Sequence, residues 1–205
     1  MHKDILDEKQ LELLPLVQKF RDKFGLVGGT AIALHIGHRE SIDFDLFCCE
    51  TIDNSKIRNT IKTHFDNDID IKVIRDEVGE YSVFLKGVKF TFFHYPFQIE
   101  FDVAFEDIIN TTNLLTLSAM KAYALGRRAK WKDYVDLYFI FKQYSLDEVA
   151  QNTKSIFGDE FNAKNFREQL NYFDDIDYTE KIIFHNKMDV SDEEIKKTLS
   201  KISVS

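Results

Sequence analysis

Apolar positions recur every three or four residues between Ile5 and Phe24, where Leu11, Leu14, Val17, Phe20 and Phe24 form one stripe and predict an amphipathic helix. Pro15 inside this stretch marks a kink or a break into two helices. The pattern then shortens. Gly25, Leu26 and Val27 read as a short strand, Gly28-Gly29-Thr30 as a glycine turn, and Ala31 to Ile36 as a short helix. Ile42 to Phe47 begins by alternating apolar and acidic residues, which predicts a strand with Asp43 and Asp45 on one face. A helix over Asn54 to Phe65, capped by Asn54 or Ser55, precedes strands at Ile69 to Ile74, Tyr81 to Leu85 and Val88 to Phe93. Lys86-Gly87 reads as the hairpin turn between the last two, and Gln98 to Phe105 as a further strand or extended edge.

After Asp107 the helical period takes over. Thr116 to Arg128, Lys130 to Gln143, Leu146 to Phe157, Asn165 to Tyr172 and Asp192 to Ile202 read as helices, and Ser191 before Glu193 and Glu194 supplies a start signal for the last. This order predicts an α+β fold: a mixed sheet with flanking helices over residues 1–112, then a C-terminal helical region over residues 113–205.

Composition narrows the function classes. With only 8 Gly and 2 Pro among 205 residues, and 19 Phe to fill a core, a low-complexity or collagen-like chain is excluded. The net charge of -8 argues against coating nucleic acid through bulk charge, while leaving room for a local basic patch. No apolar run approaches the roughly 20 residues of a membrane span, and the N-terminus lacks the apolar core of a secretion signal. A cytoplasmic protein without membrane partners is expected. Cys48 and Cys49 are adjacent and read as a reduced, apolar pair at a strand end; no pair of His residues at ligand spacing joins them to suggest zinc.

Chemistry concentrates in two blocks. In the first, Gly28 and Gly29 let the backbone turn tightly ahead of a helix whose positive end suits phosphate, and Thr30 adds a hydroxyl. Asp43 and Asp45, two residues apart on a strand and roughly 7 Å apart at Cα, are hard oxygen ligands that suit Mg2+, with Mn2+ as the alternative. Arg39 lies close enough in sequence to pair with them or to bind phosphate, Ser41 holds the intervening loop, and His38 reads as structural. The second block, Lys121 to Lys132, carries Lys121, Arg127, Arg128, Lys130 and Lys132 and no acid, a local reversal of the chain's charge. Lys121 and Arg128 share a helical stripe, and Lys132, Asp133 and Asp136 share another face. These cations can meet a triphosphate while Asp133 or Asp136 orients it or assists the nucleophile; a surface helix pair with internal ion pairs is the competing reading. Trp131, Tyr134, Leu137, Tyr138 and Phe141 read as core.

The run from Gly28 through Arg39, Ser41 and Asp43 to Phe47 resembles the first motif of the AbiEii-type nucleotidyltransferases, in the DNA polymerase beta-like superfamily, which includes toxins of abortive-infection and type IV toxin–antitoxin systems. The run from Leu117 through Lys121 and Lys132-Asp133 to Asp136-Leu137 is similar to that family's later motifs, and the likeness spans most of residues 24 to 142. It implies an EC 2.7.7-type enzyme that moves a nucleoside monophosphate from a nucleoside triphosphate to an acceptor hydroxyl, with RNA, including tRNA, as acceptor and a cognate antitoxin as partner. It assigns phosphates to Gly28, Gly29, Thr30, Arg39, Ser41, Lys121, Arg128 and Lys132, and catalysis to Asp43, Asp45, Asp133 and Asp136. Enzymes of this superfamily commonly add a third metal carboxylate from a neighbouring strand. The strand over Val88 to Phe93 offers Lys89, Thr91 and Phe93 on that face and no acid, so Asp102 is the expected substitute, ahead of Asp70 and Glu100. A catalytically silent nucleotide- or partner-binding module on the same fold is the alternative, and a Mg2+-dependent phosphohydrolase a third.

Overall fold

A computed structural model describes residues 1–125, 127, 128 and 130–204. Gly126 and Ala129, inside or between the second block's helices, and Ser205, at the end of the predicted helical region, lie outside the described residues. Helix α1 (Glu8–Gln18) begins at a capping box between Asp7 and Gln10 and runs through Pro15 without breaking. Pro15 is exposed, so the carbonyl deprived of its partner lies on the solvent side. Strand β1 (Gly25–Val27), helix α2 (Gly28–Ile36) and strand β2 (Phe44–Cys48) follow as predicted, except that Asp43 stands just ahead of β2. Helix α3 (Asn54–His64) is capped by Asp53, whose side chain accepts from the Lys56 amide, and not by Asn54 or Ser55.

Strands β3 (Lys72–Glu77), β4 (Glu80–Leu85), β5 (Val88–His94), β6 (Val103–Phe105) and β7 (Ile109–Thr111) complete the sheet. β3 starts three residues later than predicted, because every one of its positions is exposed and no alternation marks it. Lys86 and Gly87 both take positive φ, the conformation of a tight hairpin turn. Among the described residues these seven strands form one mixed sheet in the order β3-β4-β5-β2-β1-β7-β6. The later helices are α4 (Leu114–Leu125), α5 (Trp131–Ile140), α6 (Leu146–Phe157), α7 (Ala163–Leu170) and α8 (Asp192–Ser203), the last capped by Ser191.

β2 pairs antiparallel with β1 and parallel with β5, aligning Val27 with Asp45 and Asp45 with Thr91. Alternation then sorts the side chains. Phe44, Leu46, Phe90 and Phe92 turn to one face, where Phe20 and Phe24 at the end of the α1 segment meet Phe92 at centroid distances of 4.7 and 5.4 Å. Asp45, Phe47, Lys89, Thr91 and Phe93 turn to the other, which α4 roofs over. One hydrophobic core runs through both halves of the chain, with Ala31 and Leu34 of α2 in the same cluster as Leu117 of α4 and Val135 of α5. No helix among the described residues is long and apolar enough to cross a membrane.

Candidate active site

The face of the sheet under α4 holds a cleft of about 400 Å³. Its floor is Asp45, Phe47, Lys89, Thr91 and Phe93, its far end Glu80 and Tyr95, and its roof Met120, Lys121, Arg127 and Arg128. Gly28 enters at the junction of β1 and α2, with φ +72°, a conformation that costs an L-residue. A Cβ there would lie 2.1 Å from Asp45 Oδ2, so the glycine both makes the turn and admits the carboxylate. At Gly29 a Cβ would lie 2.7 Å from Arg39 Nη2. The first turn of α2 has no side-chain cap, leaving its amides and the positive end of the helix open to an anion.

Thr30 is buried, and its hydroxyl donates to the Asp43 carbonyl and shares a 3.0 Å hydrogen bond with the Ser41 hydroxyl. Both hydroxyls therefore tie the loop before β2 to α2. Asp43 is half-buried, and burial pushes its pKa up; Lys132 and Lys89 oppose this, while Asp45 adds like-charge repulsion. Two carboxylates close enough to repel, beside an open helix end, fit one divalent ion whose other ligands are water and phosphate oxygens.

Asp133 and Asp136, expected to be catalytic, are wholly buried in a lattice of charge. Arg39 clamps Asp136 in bidentate fashion, Nε to Oδ1 at 2.7 Å and Nη2 to Oδ2 at 2.9 Å. Lys121 reaches Asp133 at 2.7 Å and Asp136 at 2.9 Å, and Arg128 bridges Asp133 at 2.9 Å. His38 Nε2 lies 2.9 Å from Asp136 Oδ1 and donates to it, since a carboxylate only accepts, and burial lowers the His38 pKa against the pull of Asp136. Burial opposes charge on both acids, yet Arg39 and Lys121 hold Asp136 well below the usual carboxylate range, and Lys121 and Arg128 hold Asp133 below it. Burial likewise opposes charge on Lys121, and the two aspartates more than reverse it, leaving its pKa raised.

The structure thus places Asp133 and Asp136 as buried anchors for cations, and Arg39, only 3% exposed, is paired with Asp136 and lies behind Gly29. Lys121 and Arg128 remain at the cleft wall, and the lattice has three fixed cations for two anions, so its surplus charge is positive. Lys132 pairs with Glu180 in the segment after α7, while its charge also reaches Asp43.

The substitutes for a third carboxylate do not join the pair. Asp102 is exposed ahead of β6, at the sheet edge three strands from β2, about 14 Å away laterally at the usual strand spacing. Asp70 is exposed beside the β3 edge and Glu100 is exposed near β6. Thr91 occupies the position opposite Asp45, its buried hydroxyl without a hydrogen-bond partner among the described residues. No group of three or more His, Cys, Asp or Glu suited to a metal occurs among the described residues. Arg127, one of the cations of the second block, lines the cleft, as do Glu80, Tyr95 and Tyr123, which the sequence pattern does not single out; the strand register that brings Glu80 opposite Phe93 is the signal for the first of these three.

A family model described as nucleotidyl transferase AbiEii toxin, type IV toxin–antitoxin system, matches residues 16–201. The uncharacterized protein aq_aa25 of Aquifex aeolicus is 30% identical over 128 residues, a match that spans 60% of this chain and 60% of that protein's length. The crystal structure of JHP933 from Helicobacter pylori superposes with a TM-score of 0.62 at 20% identity, covering 97% of this chain and 92% of that one. MenT4, a nucleotidyltransferase toxin of Mycobacterium tuberculosis, gives 0.63 at 11% identity, covering 94% and 80%. At these identities the two structures establish a shared fold.

Proposed function

The chain belongs to the nucleotidyl transferase AbiEii toxin family of type IV toxin–antitoxin systems, and from that premise we propose that it transfers a nucleoside monophosphate from a nucleoside triphosphate to an acceptor hydroxyl. The observation that carries this reading is the opposition across one cleft of the carboxylate-bearing strand β2 and of Lys121 and Arg128, held in place by the buried lattice. The triphosphate would lie between them, its oxygens toward the open end of α2 and toward Lys121 of α4 and Arg128 just beyond it. The acceptor oxygen bonds to the α-phosphorus as the bond to the β-phosphate oxygen breaks; pyrophosphate leaves with the electron pair, and the hydroxyl proton passes to solvent.

Asp43 and Asp45 would hold Mg2+, or Mn2+, which when bound neutralises the triphosphate and acidifies the attacking hydroxyl. In this reading residues 1–112 supply the transferase core and residues 113–205 the helices that complete the site. The family context supports RNA, including tRNA, as acceptor, a cognate antitoxin as partner, and action in the cytoplasm. Each radiolabelled triphosphate, incubated with total RNA and Mg2+, tests this with wild type against Asp43→Ala plus Asp45→Ala. Labelling by the wild type alone is expected, and equal labelling by both removes the carboxylates from the reaction.

One observation favours a second reading, a catalytically silent nucleotide-binding module: Thr91 stands opposite Asp45 where a third acid would complete a metal site. Calorimetric binding of a triphosphate that is indifferent to Mg2+ and leads to no turnover would select it.

A further inference from the structure

A second cleft, of about 530 Å³, adjoins the first and shares a wall with it. That wall is Tyr123 and Arg127, which line both spaces. Tyr123 stacks on Phe157 at a centroid distance of 4.0 Å and donates its hydroxyl to Glu160 at 2.6 Å. Arg127 lies 3.6 Å over the other side of the Tyr123 ring and donates to the Tyr123 carbonyl at 2.9 Å. A planar cation is thus fixed on an aromatic stack between the clefts. Across from it, α7 turns Asn165 and Gln169, one helical turn apart, into the second cleft. Their side-chain amides have no hydrogen-bond partner among the described residues.

The lining selects by chemistry. One cation, Arg127, faces the carboxylates of Glu160 and Glu168, so a phosphate or an acidic peptide is disfavoured. Amides offer a donor and an acceptor side by side, the complement of a nucleobase edge. A guanidinium plane is a stacking surface for an unpaired base. We infer that this second cleft is a nucleobase-binding subsite, filled either by the base of the incoming nucleotide or by the terminal base of an acceptor strand. The inference rests on the nucleotidyl-transfer reading for the first cleft and assigns the neighbouring space.

The double variant Asn165→Ala plus Gln169→Ala tests it, since Asn165 is exposed and Gln169 only partly buried on α7, so the fold does not depend on either side chain. Affinities of the full chain would be measured for the four triphosphates, for base-free tripolyphosphate, and for fluorescein-labelled oligoadenylate and oligouridylate. The variant should weaken one class of base-bearing ligand on the order of tenfold and leave tripolyphosphate unchanged. Loss confined to triphosphates identifies the incoming base as the occupant, and loss confined to oligonucleotides identifies the acceptor. Unchanged binding of both classes overturns the subsite. Failure of tripolyphosphate to bind the wild type would instead overturn the reading of the first cleft, and the oligonucleotide arm would still decide the second.

Discussion

Two pairs of aspartates, each pair close in sequence, live under opposite electrostatics. Asp45 lines an open cleft from β2 and Asp43 stands just ahead of that strand, where burial and repulsion from Asp45 raise its pKa with only partial relief from lysines. Asp133 and Asp136 stand on α5 with no exposed surface, each saturated by cations that hold its pKa down. The same side chain is, among the described residues, an unpaired carboxylate in one setting, the proposed metal ligand, and a fastener in the other. What separates them is whether the oxygen lone pairs already have partners.

Substitutions should pull the two pairs apart. The largest effect is expected from Asp43→Asn plus Asp45→Asn: loss of transfer by about three orders of magnitude, since a bound metal supplies several kcal/mol of charge stabilisation. Urea unfolding should show stability held or increased, because a crowded like charge is removed. Asp136→Ala should do the reverse and cost about 3–5 kcal/mol in urea, leaving Arg39 buried without its counter-ion and Lys121 with only one of its two. A folded-state pKa below the unfolded one gives stability that is present above the unfolded value, about 3.9, and lost as pH falls through the folded value. The stability gap between wild type and Asp136→Asn should therefore be full near neutrality and close only in strong acid. A gap that closes at pH 5 to 6 would show that the lattice does not hold Asp136 as described.

Gly28→Ala lies between these extremes. The left-handed backbone costs roughly 1–2 kcal/mol, while the new methyl group displaces Asp45, so activity should fall far more than stability does. Smallest is Glu180→Gln, which frees Lys132 at a partly exposed ion pair: a stability change within about 1 kcal/mol and a severalfold change in the KM for triphosphate as the readout.

The comparison also explains what the sequence could disclose. α6 and α8 were legible because an amphipathic stripe coincides with a Ser cap. β7 is not, because a three-residue strand carries too little alternation; β6 falls inside the longer extended stretch read over Gln98 to Phe105, and β3 is offset by three residues because it buries no face. The glycines and Asp43 and Asp45 were legible as a strand–turn–helix–strand motif. The pairing of Asp136 is not legible along the chain, because spacing shows which charges share a face but not that the partner Arg39 lies about a hundred residues away; the nearer partners of Asp133, Lys121 and Arg128, fall within the second block itself. Asp102 was misjudged because strand order, invisible along the chain, puts β6 at the far edge from β5.

β2 is hydrogen-bonded along both sides, to β1 and to β5, with four strands beyond it. Its amides should be among the slowest in the protein to exchange with deuterated solvent, opening only when the whole domain does. Asp45 thus rides on the part of the molecule with the least local freedom, and Asp43 stands immediately ahead of it. Adaptation to one nucleotide or acceptor rather than another can then proceed by change at the roof and the second cleft, with the chemistry left anchored to a strand that neither has to move.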